Sequence, residues 1–412
     1  MRAVLFGIAV RCLLACVALL PIAATAQPAA ASGDHLRVAL VTAAPGSLYW
    51  ERFGHNAILI EDSAVGSSRM YNFGWFDFEQ KNFMLNFARG RMLYRLAVTD
   101  PEHDIASYAQ ENRSVWLQEL ALDPAQKLAL QQALEHNALP ENAEYRYDYY
   151  LDNCSTRVRD ALDAAIGGGI RRTALGRGRG ETFRSLSLAY AQEIPWLAFG
   201  IHLGLGPTAD RRINFWEEAF LPLRLRDLVK EIELRNADGT LRPLVSAERT
   251  LYEGKLSDHI AEQPNWFWPM LLIGLIFAAV LGFGLRSKHP RFRSFAAAIG
   301  AIGSLIFGII GVVLAALWIG TDHQIAWRNA NLWLFSPLCL LLIVPIWRLR
   351  RVEASVSMTT QIVCWLVFGI AVASLLASLL KLNTQAQSDW MVLLLPWHLA
   401  IWQRLQSLPT QK

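Results

Sequence analysis

The chain has 412 residues, a formal net charge of +4, and hydrophobic residues at 53% of its positions. The apolar content is concentrated in long runs in the last third, and the modest positive charge sits in the short loops between them, so nucleic-acid binding is not expected. No His/Cys/Asp/Glu set has zinc-ligand spacing, and no Gly-rich segment links a strand to a helix as a phosphate loop does; neither metal nor cofactor is expected.

Residues 1–11 carry Arg2 and Arg11 and no acid, residues 12–22 are apolar, and Ala24-Thr25-Ala26 has the small-x-small form of a signal-peptidase site. A signal peptide over 1–26 is expected. A lipobox at Leu13-Leu14-Ala15-Cys16 is the competing reading, with Arg11 interrupting its apolar stretch. Residues 36–43 alternate and are rich in β-branched types, which predicts a strand. A second strand is expected at 54–61, and after the Gly66-Ser67-Ser68 turn residues 69–74 return as its hairpin partner. Residues 76–88 read as a helix, 91–98 as a strand, and 101–112 and 124–136 as helices, each opened by a proline. The alternating aromatics of 145–150 lead to Asp152-Asn153-Cys154. Residues 155–166 then place Val158, Ala161, Leu162 and Ala165 on one helical face, and Gly167-Gly168-Gly169 ends that helix. His202 is expected in a Gly-rich loop.

Apolar runs at 266–285, 295–319, 332–347 and 362–380 have the length of membrane-crossing helices, and a shorter fifth at 390–402 contains Pro396 and His398. Arg286, Lys288, Arg291 and Arg293 follow the first run, and Arg348, Arg350 and Arg351 follow the third. The loops at 320–331 and 381–389 carry one basic residue each. The positive-inside rule then puts the domain at 27–264 in the periplasm. A bundle of about five helices is expected over 265–404 and a cytoplasmic tail over 405–412, making a multi-pass inner-membrane protein.

Cys12 and Cys16 fall in the signal segment and Cys339 and Cys364 in apolar runs, leaving Cys154 alone in the exported domain. An unpaired thiol in an oxidising compartment is either a buried bystander or a reactive group. Its place at a helix N-terminus favours thiolate, and the Ser155 amide is a candidate oxyanion donor. His55, on a strand behind Gly54, is the candidate base; the alternative is a strand histidine satisfied by a backbone bond. Arg171, Arg172, Arg177 and Arg179 are either a lipid-phosphate site or a solvated loop.

The segments Phe53-Gly54-His55-Asn56-Ala57, Tyr71-Asn72-Phe73-Gly74 with Phe76-Asp77-Phe78, and Tyr147-x-Tyr149-x-x-Asp152-Asn153-Cys154-Ser155-Thr156-Arg157 resemble the periplasmic domain of the Lnb lipoprotein N-acylation family. The loop from Thr321-Asp322-His323 to Asn329-x-Asn331-Leu332-Trp333 resembles the membrane portion of its members. The resemblance implies an α+β, papain-like/NlpC-P60-like periplasmic domain followed by an all-α transmembrane bundle. It also implies a thiol acyltransferase acting on membrane lipids or lipoproteins, with Cys154 as nucleophile, His55 as base and Asn72 orienting the imidazole. Tyr149, Asn153 and Ser155 are candidate substrate-binding residues, and so is His323 from its place in the periplasmic loop, where the alternative is an ordinary interfacial histidine. A cysteine peptidase or amidase acting on cell-wall peptide shares the Cys–His pair, and a non-catalytic binding or sensing module would simply bury Cys154.

Overall fold

A computed structural model describes residues 32–236, 238–256, 262–351 and 354–410. The expected signal peptide at 1–26, its lipobox alternative, Cys12 and Cys16 lie outside these residues. In the first part of the chain the elements are β1 (Leu36–Ala43), β2 (His55–Asp62), β3 (Ser67–Trp75), α1 (Phe83–Arg89), β4 (Leu93–Thr99), α2 (Pro101–Gln110), β5 (Val115–Leu120), α3 (Pro124–Asn137) and β6 (Glu144–Arg146). There follow α4 (Cys154–Ala165), α5 (Gly169–Ala174), α6 (Phe183–Ala191), α7 (Pro195–Gly204), α8 (Phe215–Glu218), α9 (Pro222–Lys230), β7 (Glu233–Arg235), β8 (Leu241–Pro243) and β9 (Val245–Tyr252).

The period-2 apolar pattern of β1 makes it a central strand. The antiparallel sheet runs β6-β4-β3-β2-β1-β5-β9. Residues Ile58, Ile60 and Tyr71 point to one face and join the main core with Val158 and Leu162 of α4. Ala57, Leu59 and Met70 point to the other face and pack under Ile105 and Tyr108 of α2. The domain is thus mixed α+β, with α4 and α2 on opposite faces of one sheet. The helix expected over 76–88 forms only from Phe83. Upstream, the Asp77 carboxylate accepts the Glu79 N–H, a local turn that competes with helix, and Asn82 is left-handed. His202 lies on helix α7 rather than in a loop, buried beside Asp389 at 3.2 Å.

Beyond Trp266 come α10 (Phe267–Gly284), α11 (Pro290–Gly320), a broken segment ending in α12 (Ile343–Arg348), α13 (Met358–Leu379) and α14 (Ser388–Gln406). Among the described residues, four segments are long and apolar enough to cross a membrane: α10, α11, Ala330–Arg348 and α13. The third is not the continuous helix its apolarity suggests. It is two 3-10 turns followed by α12, because the Ser336 side chain accepts the Leu338 N–H and Pro337 starts a new turn. Helix α14 runs through Pro396. Glycines of α11 face large neighbours: Gly300 meets Ile346, Gly303 meets Trp397 and Gly308 meets Leu340, the small-against-large packing that lets membrane helices approach.

The two parts are joined by the 321–333 loop. Asn329 Nδ2 donates to the carbonyls of Leu203 (2.8 Å) and Gly204 (3.0 Å) at the end of α7, and Asn331 Nδ2 donates to Leu203 O at 2.9 Å. Gln385 Nε2 holds Asn329 Oδ1 at 2.9 Å. At the other end of the loop the Asp322 N–H donates to Arg89 O, and Arg91 pairs with the Asp322 carboxylate, both at 2.8 Å.

Arg184 is 1% exposed and binds Asp210 through Nε at 2.8 Å, and the carbonyls of His202 and Leu205 at 2.7 and 2.8 Å. It fastens α6 to the turn after α7. Replacing one member of a buried ion pair strands the other, so Arg184→Met is expected to cost about 3–5 kcal/mol. Thermal unfolding of the purified protein in detergent measures this, and a loss below about 1 kcal/mol would show that Asp210 finds another partner.

Candidate active site

Asn153 builds the N-terminus of α4. Its Oδ1 accepts the N–H groups of Ser155 and Thr156, each at 2.9 Å, while its Nδ2 donates to Tyr149 O at 2.8 Å and Phe220 O at 2.9 Å. The Thr156 hydroxyl returns a bond to the Asn153 N–H, closing a capping box. Every polar group of Asn153 is spent on the backbone, so it shapes the site and has nothing left for a substrate. Ser155 is equally committed. Its Oγ lies 2.8 Å from Asn56 Oδ1 and 2.7 Å from Ala219 O, and its amide goes to Asn153. The Ser155 amide, the candidate oxyanion donor, is thus shared between the Asn153 cap and the Cys154 sulfur.

Cys154 is the first residue of α4 and is a free, half-buried thiol. The pairing of β2 with β3 runs only from Ile58 opposite Tyr71 to Asp62 opposite Ser67, and β3 is irregular between Asn72 and Trp75. Residues 55–57 thus have a free edge, and the N-terminus of α4 occupies it. Gly74 has φ +88° and would place a Cβ 3.2 Å from Cys154 Cβ; glycine here answers both the backbone and the space. Burial pushes the Cys154 thiol up to about 11, outweighing the backbone N–H groups of Asn56, Ser155 and Cys154 itself and the Arg113 charge, which pull the other way. The lowered thiol pKa expected from the helix terminus is not found, because desolvation dominates.

His55 and Asn72 lie on the α2 face. His55 Nε2 is 2.9 Å from Asn72 Oδ1. Asn72 Nδ2 donates to Thr99 Oγ1 at 2.7 Å and to Asp104 Oδ2 at 2.8 Å, and the Thr99 hydroxyl donates to the same carboxylate. An amide flip would turn the Asn72 oxygen onto a carboxylate, so Asp104 fixes which end of Asn72 meets the imidazole. His55 Nε2 therefore carries the hydrogen and Nδ1 is left as the acceptor. Burial lowers His55 to about 4; the Asn72 bond and the Asp104 charge oppose this and the Arg113 charge adds to it. Arg113 acts on both His55 and Cys154, and Tyr108, whose ring lies 6.4 Å from His55, is itself raised by burial and by the Cys154 charge. The resting groups are thus a thiol and a neutral imidazole on opposite faces of the sheet, their chain neighbours Ser155 and Asn56 joined at 2.8 Å.

Asp104, Thr99 and the Asn56 amide belong to this arrangement and have no local sequence signal that assigns them to it. Tyr149 stands at the rim, its hydroxyl 3.2 Å from the Met92 sulfur and its ring stacked 6.3 Å from His323. His323 Nε2 is 3.0 Å from Phe87 O, so its ring is engaged by backbone. The arginine loop is largely paired internally. Arg172 bonds Gly167 O, Arg177 pairs with Glu231, Arg179 with Glu218, and Arg171 lies over Trp216. A cleft of about 470 Å³ bordered by Leu134, Asp152 and Arg157 does not include Cys154. Among the described residues no group of three His/Cys/Asp/Glu could hold a metal.

A folded α+β domain carried on apolar, bilayer-length helices defines a membrane protein with its polar chemistry held outside the bundle. Residues 25–187 match the Lnb N-terminal periplasmic domain and residues 261–405 the Lnb transmembrane domain. The chain belongs to the Lnb family, and the first of its two parts is a periplasmic domain. No curated protein and no solved structure matches it.

Gly74→Ala adds both left-handed strain and a contact with Cys154, whereas Gly66→Ala, at φ +66° with open space around it, adds strain alone. Gly66→Ala is expected to cost about 1–2 kcal/mol and leave the iodoacetamide alkylation rate of Cys154 unchanged. Gly74→Ala is expected to cost more and to alter that rate; equal behaviour of the two would remove Gly74 from the site. Because His55 is depressed from an ordinary value near 6.5 to about 4, its contribution to stability is complete above the upper value. That contribution is lost as pH falls through the window between them. Thermal unfolding across it should show His55→Gln losing less stability on acidification than the wild type; parallel curves would contradict the burial of this imidazole.

Proposed function

We propose that this protein is a Cys–His thiol acyltransferase of the inner membrane, moving acyl chains of membrane lipids or lipoproteins at the periplasmic face. In this reading a signal peptide precedes the periplasmic domain at 27–264, about five helices over 265–404 anchor it, and 405–412 is cytoplasmic. The observation that carries the reading is the Asp104–Asn72–His55 chain, which leaves His55 Nδ1 as a proton acceptor one residue from Asn56, itself bonded to the Ser155 that follows Cys154.

The chemistry follows in two halves. The Cys154 sulfur attacks the carbonyl carbon of an acyl ester while His55 Nδ1 takes the thiol proton. The carbon–oxygen bond breaks, and the leaving alcohol oxygen receives that proton, giving an acyl thioester and a lyso product. An amine then attacks the thioester and passes a proton through His55 to the departing sulfur. The N–H groups of Asn56, Ser155 and Cys154 favour the thiolate and could receive developing oxyanion charge. A neutral resting pair holds the thiol protonated until an acyl carbonyl arrives, a useful property in an oxidising compartment. The core rings of Tyr147, Tyr94 and Phe76, packed in series with Tyr147 next to Gly74, make the surroundings of Cys154 apolar, which suits an acyl chain better than a hydrophilic cell-wall peptide.

The test uses the full chain in detergent with a phospholipid and a diacylated lipopeptide, each carrying an alkynyl acyl chain. A hydroxylamine-sensitive adduct on Cys154 is expected with at least one donor, lost in Cys154→Ser and reduced by about 10²–10⁴ in His55→Ala. Peptide-bond cleavage without acyl adduct would replace the reading with peptidase. A folded protein whose Cys154 takes neither acyl chain nor alkylating reagent would replace it with a binding module.

A further inference from the structure

Helix α7, Pro-Trp-Leu-Ala-Phe-Gly-Ile-His-Leu-Gly, is apolar apart from the buried His202, yet at ten residues is about 15 Å long, too short to cross a bilayer. A helix of that kind is normally buried on all sides. Here Leu197, Ala198 and Ile201 pack into the exported domain, and Leu203 packs onto the cluster of Met270, Leu314 and Trp390 in the bundle. Trp196 is nonetheless 64% exposed and Phe199 41%.

These two rings continue an aromatic rim. Trp196 meets Tyr49 at 5.6 Å, Tyr49 meets Trp50 at 4.5 Å, and Trp50 meets Phe78 at 6.0 Å. All three partners are exposed, Phe78 at 57%. The loop that carries Tyr49 and Trp50 is held in place from beneath. Arg52 bonds Gly46 O at 2.9 Å and Tyr190 O at 3.0 Å, and Arg113 bonds Ala44 O at 2.8 Å. The rings are therefore presented by a pinned loop. At its other end the rim is continuous with the bundle: Phe199 lies 6.2 Å from Trp266, directly before α10, and 4.7 Å from Trp390 on α14.

We infer that α7 and the Tyr49–Trp50 loop form an interfacial membrane-contact surface, seated in the headgroup region of the periplasmic leaflet beside the bundle. Indole and phenol rings at this level match the amphipathic interface of a bilayer, and short helices with one buried and one lipid-facing side lie in that plane. The continuity with the membrane-crossing helices selects phospholipid as occupant over a second protein. The surface adjoins the candidate site along the chain, since the loop leads directly into His55 and Phe78 follows Gly74 by four residues. Its existence does not depend on what Cys154 does.

The experiment is photo-cross-linking in vesicles of phosphatidylethanolamine and phosphatidylglycerol containing an alkynyl-chain phospholipid. A benzophenone amino acid replaces Trp50, Trp196 or Val65 in the full chain. Val65 is 73% exposed in the β2–β3 turn, at the far end of β2 from the aromatic loop, about 25 Å away. Lipid adducts at positions 50 and 196 are expected on the order of ten-fold above position 65. The same yields are expected in a Cys154→Ala background, which separates this surface from the acyl-transfer reading. Adducts no higher than at position 65 would overturn the inference, and so would a cross-linked dimer in place of lipid, which would make the rim a contact between two copies.

Discussion

The site depends on one local constraint: the N-terminus of α4 is pressed into the stretch of β2 that β3 leaves unpaired. A strand with a free edge normally exposes backbone donors that water or a neighbour must satisfy. Here α4 meets that edge: the Ser155 hydroxyl donates to Asn56 Oδ1 at 2.8 Å, and the Asn56 N–H is among the groups that favour the Cys154 thiolate. Asn153 makes the approach possible, since its side chain satisfies two helix N–H groups and two loop carbonyls at once. Gly74 makes it close enough. Remove any of these and the thiol loses its position relative to the imidazole on the other face of the sheet. The same closeness desolvates the sulfur, which explains why a thiol at a helix terminus remains protonated.

The second constraint is the seating of the exported domain on the bundle. The polar residues of the 321–333 loop act on backbone groups at the end of α7 and beside α1 and do not line an opening. A helix C-terminus leaves carbonyls without partners, and Asn329 and Asn331 supply donors to those of α7. Gln385 braces Asn329 in turn. The Asn-x-Asn spacing thus has a structural explanation that requires no substrate.

Much of the fold could be read from local pattern. The alternation in β1, the Gly/Ser turn between β2 and β3, and the Asp–Pro start of α3 each reflect forces within a few residues. The pairing of β5 with β9 could not be read that way: their partners lie more than a hundred positions apart, and β9 is exposed along most of its length, so it lacks an apolar alternation. The third membrane segment misled because hydropathy registers apolarity and not the turn that Ser336 and Pro337 impose. At the site, Cys154 announced itself by its cap and by being the lone soluble cysteine. Asp104 did not, because its role comes from the β3–β4 register that sets Asn72 opposite Ala97. His202 had no local signal for its burial; only the docking of α7 against α14 creates it.

The clamp formed by Asn329, Asn331 and Gln385 has a geometric corollary. A domain tethered by a flexible linker samples many heights above the bilayer, whereas one bolted to the tops of its own helices is held at a single altitude. Under the proposed chemistry the bundle then works as a depth gauge. Acyl carbonyls at that one level would then be favoured over groups deeper in the chains or farther out in the periplasm, whatever their intrinsic reactivity. Selectivity of this kind is written in the length of the anchoring helices as much as in the residues around the thiol.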